Sequence, residues 1–95
     1  DLNSTDKTKP KIIKKEFNYI IKVADFYFKK TAQSMADKII NETEVKEVKI
    51  ENLSNTEYRV FLGPYYNIKA LQNGFNSINI LKFENIEILK NDKKN

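Results

Sequence analysis

Ninety-five residues carry 17 basic and 13 acidic side chains, a net charge of +4, with no histidine and no cysteine. That composition leaves no disulfide and no thiolate nucleophile, and it removes the commonest general base and the commonest metal ligand. The length allows one domain, and one of about 75 structured residues buries only about 60% of its unfolded surface.

The charge is unevenly spread. Five lysines against three carboxylates leave +2 in residues 1–16, residues 91–95 hold +1, and residues 17–90 are left with +1. A nucleic-acid binder concentrates basic charge on the domain itself, so nucleic acid is not an expected partner. No run of about 18 apolar residues occurs, so no insertion into a membrane is expected from this segment. The chain opens on Asp1 rather than Met, which reads as a piece of a longer protein with any targeting signal upstream.

Residues 1–16 show no sustained period and contain Pro10 among Ser, Thr, Asn and Lys, the pattern of a flexible linker. Residues 17–90 read as the domain and residues 91–95 as a polar tail. The first strand is expected over residues 19–24, with Ile21 and Val23 inward and Ile20, Lys22 and Ala24 outward. A helix follows from about residue 28 to 41, on which Phe28, Ala32, Met35, Ala36 and Ile39 form one apolar stripe. Residues 45–53 alternate Val48 and Ile50 inward against Glu47, Lys49 and Glu51 outward. Ser54-Asn55-Thr56 then turns the chain into a hairpin.

The partner strand, Tyr58-Arg59-Val60-Phe61-Leu62, sends Tyr58, Val60 and Leu62 to one side and Arg59 and Phe61 to the other. Arg59 is the only arginine among the 17 basic residues, and a guanidinium makes forked contacts that an ammonium cannot. Gly63-Pro64 is expected to end the strand. A second helix spans about residues 67–81, with Leu71, Phe75, Ile78 and Leu81 as its stripe and Gly74 placed for close packing on the sheet. The last strand is expected over residues 83–89, Ile86 and Ile88 inward, Asn85 and Glu87 outward.

The order β-α-β-β-α-β predicts an α+β, ferredoxin-like fold, a four-stranded antiparallel sheet with two helices on one face. The first and third strands are then central neighbours, and Lys22, Arg59 and Phe61 share the uncovered face. The carboxylates do not converge in a pocket. Even Glu47 and Glu51, on one strand face, lack the desolvated cleft that glycosidase pairs need, so no catalytic residue is expected. No metal or cofactor is expected either.

Two motifs carry a resemblance. Tyr58-Arg59-Val60-Phe61-Leu62-Gly63-Pro64-Tyr65 resembles the third strand of the SPOR domain family, a Tyr-Arg-Val-x-hydrophobic-Gly-Pro-aromatic run. Tyr19-Ile20-Ile21-Lys22-Val23-Ala24-Asp25-Phe26 is similar to its first strand, with Lys22 where Gln is usual and Ala24 where Gly is usual. The resemblance implies a peptidoglycan-binding module of the bacterial envelope or periplasm. Such a module recognises glycan strands stripped of their stem peptides and directs its parent protein to the division septum. It implies glycan contacts from Lys22, Asp25, Phe26, Arg59, Phe61, Tyr65 and Glu87, and a monomer. One host that such an ending resembles is the rare lipoprotein A family, with a lytic domain upstream.

Two other classes fit the topology. An RNA-recognition domain would need a basic-Gly-aromatic-Gly/Ala-aromatic run on the third strand, whereas Gly63 here follows Phe61 and precedes Pro64. A protein–protein module pairing through the open face or a sheet edge is the other.

Overall fold

A computed structural model describes residues 16–91. Of the expected linker (residues 1–16) and tail (residues 91–95), residues 1–15 and 92–95 lie outside the described residues. The elements run β1 (Tyr19–Phe26), α1 (Lys29–Glu42), β2 (Lys49–Ser54), β3 (Glu57–Tyr65), α2 (Ile68–Ile78) with a 3₁₀ turn (Asn79–Leu81), and β4 (Glu87–Lys90). All pairings are antiparallel and the strand order is β2-β3-β1-β4. The expected α+β, ferredoxin-like arrangement is therefore present, with β1 and β3 at the centre.

The core is the set that alternation and helical period select together. Ile21 and Val23 from β1, Val60 and Leu62 from β3, Ala32 and Ile39 from α1, and Ile78 from α2 are buried in one cluster. Met35, Leu71, Phe75, Ile50 and Tyr58 pack around it. Both helices thus cover one side of the sheet and leave the other open. α2 is opened by Asn67, whose Oδ1 accepts a hydrogen bond from the Ala70 amide at 2.8 Å, satisfying one of the orphan donors of the first turn.

Four local expectations change. Phe28, expected to start the α1 stripe, is 61% exposed. It precedes the helix in extended backbone (φ −114°, ψ 142°), so helical spacing does not place it, and its ring packs edge-on against Tyr27 at 4.6 Å. Gly63-Pro64 does not end β3, which continues to Tyr65. The register slips by one residue there, between the pairs Tyr19–Tyr65 and Ile21–Leu62, which gives the proline a place in the strand without a ladder donor. Gly63 sits at φ 110°, and a Cβ on it would lie 3.1 Å from the Tyr65 ring and 3.2 Å from the Tyr19 carbonyl oxygen.

The last strand begins at Glu87 rather than at residue 83. Phe83 and Ile86 both pack on the core, but three residues apart they cannot share one face of a strand, so this stretch runs as loop. The fourth change is a bulge in β1. Lys22 pairs with Phe61 but Ala24 pairs with Val60, so one extra residue is inserted on β1. Val23 is buried and Ala24, expected outward, packs against the same core.

Candidate functional site

The bulge builds the open face. With strict alternation, Asp25 would follow Ile21 and Val23 into the core. The extra residue turns it to the other side, directly opposite Arg59. There the Arg59 Nε–H donates to Asp25 Oδ1 at 2.8 Å and Nη2–H donates to Oδ2 at 3.1 Å, a forked pair with both side chains three-quarters covered. The Arg59 hydrogen bonds hold the Asp25 carboxyl below its ordinary range, against the opposing effect of burial, and Lys22 adds to the lowering. In return, hydrogen bonding to Asp25 raises Arg59 further.

Cross-strand register arranges the face in rows. The first row runs Glu51, Arg59, Asp25 across β2, β3 and β1. The second runs Lys49, Phe61, Lys22, Glu87 across all four strands. Lys22 Nζ donates to Glu87 Oε1 at 3.2 Å and lies 3.8 Å from Asp25 Oδ2, linking the rows. Lys49 donates to Glu47 at 3.0 Å. Beyond them, Ile20 pairs with Leu89 at the apolar end of the face. Ile20, expected outward, is only 7% exposed. Phe61, half-buried, is the one aromatic side chain in the two charged rows.

Of the seven expected contact residues, Lys22, Asp25, Arg59, Phe61 and Glu87 come together here. Phe26 and Tyr65 do not. Phe26 lies one residue past Asp25, pairs with Tyr58 and packs with it on the core. Tyr65 is returned to the helix side by the register slip at Gly63-Pro64 and packs on the core beside α2. Burial pushes its phenol above the ordinary range. A Cβ on Gly74 would collide with its hydroxyl and stand 2.6 Å from its Cζ, which accounts for a glycine within α2.

Glu51 and Lys49 belong to the face although the motifs did not mark them, and their outward alternation is the signal that finds them. Among the described residues no group of three or more acidic side chains is placed to hold a metal ion, and no helix is long and apolar enough to cross a membrane. Comparison with protein-family models, with curated proteins and with solved structures finds no match to this chain.

Proposed function

We propose that the domain is a non-catalytic glycan-binding module that recognises peptidoglycan strands lacking stem peptides through the open face of its sheet. The observation that carries this reading is the charge balance of that face. Lys22, Lys49 and Arg59 are interleaved with Asp25, Glu51, Glu57 and Glu87, so that carboxylates outnumber cations. A polyanion such as RNA meets more carboxylates than cations on such a surface, and β1 offers Lys22 and Asp25 where an RNA-recognition sheet would stack bases on aromatics. A sparsely charged polysaccharide suits it better. Its C–H faces can pack on Phe61, and its hydroxyl and carbonyl oxygens can accept from Arg59 and Lys22 while its hydroxyls donate to Glu87 and Asp25.

The similarity of the two central strands to SPOR domains supports the same ligand, and with it an envelope location and a role in bringing a parent protein to the septum. The parent, on this reading, is an envelope protein of the rare lipoprotein A type, which could itself be a lytic enzyme.

The test is co-sedimentation with purified sacculi. The domain should pellet with them, release no soluble fragments, and lose retention on Phe61→Ala while that variant remains folded at the assay temperature. Failure to pellet, or an unchanged pellet with Phe61→Ala, removes the open face as the site.

A further inference from the structure

β1 runs on to Phe26, but β4 pairs with it only as far as Lys22, opposite Glu87. Residues 23–26 are held by β3 on one side. On the other side, no backbone hydrogen bond outside the helices and strands reaches them among the described residues. The chain that would have extended β4 stands away from the strand. Between the two lies a cavity of about 410 Å³, with Val23, Ala24 and Asp25 on one wall and Phe83, Glu84 and Asn85 on the other.

Val23 and Ala24 turn their side chains to the helices, so they offer this notch main chain. An uncovered strand edge is a row of N–H and C=O groups, and it binds what imitates a neighbouring strand. The smallest such imitation is a secondary amide, planar, with one donor and one acceptor. Lys22 and Glu87 at the end of the notch are joined to each other and Asp25 is held by Arg59, so three of its four charged side chains are already paired, which suits a neutral group better than an anion.

We propose that the notch reads the 2-acetamido group of an N-acetylated sugar, the open edge of residues 23–26 hydrogen-bonding its amide and Phe83 packing on its C–H surface. This rests on the glycan reading above and adds the chemical group by which the ligand is told from other polysaccharides. Phe61 and the charged rows would then contact sugar rings in general, and selectivity would lie at the end of β4.

Chitotetraose and cellotetraose separate the two contributions, since they share a neutral backbone and differ at C2, acetamido in one and hydroxyl in the other. Each is titrated into the full 15N-labelled chain. Chitotetraose should shift the amide signals of residues 23–26 and of Asn85, and cellotetraose should bind about tenfold more weakly, the loss expected for a pair of hydrogen bonds. Asn85→Trp, which fills the notch from an exposed position, should remove that difference. Equal affinities, or shifts confined to Phe61 and its neighbours, overturn the proposal. If the chain pellets with sacculi but chitotetraose leaves residues 23–26 unmoved, the notch assignment fails and the glycan reading stands. If it does neither, both fail.

Discussion

Gly74→Ala tests the packing that keeps Tyr65 off the open face. On an isolated helix this change should stabilise by about 1 kcal/mol, because glycine has the larger backbone entropy to lose. Here the new Cβ would meet the Tyr65 hydroxyl and lie 2.6 Å from Cζ and 3.2 Å from Cε1, against a ring on the central strand. Overpacking of that kind costs about 1–3 kcal/mol, so the net expectation is a loss of about 1 kcal/mol and up to about 2. For a domain of this size each kcal/mol moves the melting temperature by about 4–8 °C. Thermal melts followed by circular dichroism read it directly. The paired variant makes the reasoning specific. In a Tyr65→Leu background the obstructing atoms are gone, and Gly74→Ala should then raise the melting temperature. The two changes are coupled, and a double-mutant cycle should show it. A Gly74→Ala protein that melts higher than wild type with Tyr65 present would refute this packing. Tyr65 would then be free to face elsewhere, and its exclusion from the binding face would fall with it.

Arg59→Lys keeps the charge but cannot reproduce the fork to Asp25, so both stability and sacculus retention should drop, the former by about 1–3 kcal/mol. Because Asp25 is held below its ordinary value of 3.8, its contribution is present above that pH and is lost as pH falls through its lowered value. Wild type should therefore lose more melting temperature than Asp25→Asn on acidification below about pH 4, and parallel curves would contradict the pair. Ile39→Ala, at a fully buried position, should cost about 2–5 kcal/mol, whereas Phe28→Ala should stay within about 0.5 kcal/mol, as denaturant titrations can check. Raising salt from 50 to 200 mM should weaken sacculus binding only slightly, since the face carries no excess of cations, whereas a polyanion complex would weaken by orders of magnitude.

The legible part of this fold is the part that two periods describe. Ile21 and Val23, Val60 and Leu62 repeat every second residue, and Ala32, Ala36 and Ile39, like Leu71, Phe75 and Ile78, repeat with the helix. All of these lie where the pattern puts them except for degree of burial. Arg59 and Phe61 followed from the same rule. What the periods miss is any residue that breaks them. The extra residue at Val23–Ala24 cannot be counted from hydrophobicity, because both side chains are apolar and both face the core. A trace of it was present: Asp25 occupies a core position by strict alternation, and a carboxylate there has no partner unless the strand is bulged. Tyr65 was misplaced for the complementary reason, since Gly63-Pro64 reads as a stop but acts as a slip in register. The shortness of β4 follows from Phe83 and Ile86 packing from a loop, a tertiary choice that local pattern does not encode.

The most direct measurement of the central claim compares two preparations of the same sacculi, one intact and one treated with an amidase that removes stem peptides. The full chain is incubated with equal masses of each, pelleted, and quantified in pellet and supernatant. Recognition of bare glycan by the open face predicts clear enrichment on the treated sacculi, lost with Phe61→Ala and sharply reduced with Arg59→Lys. Equal recovery on both preparations, or a preference for the intact ones, would contradict it.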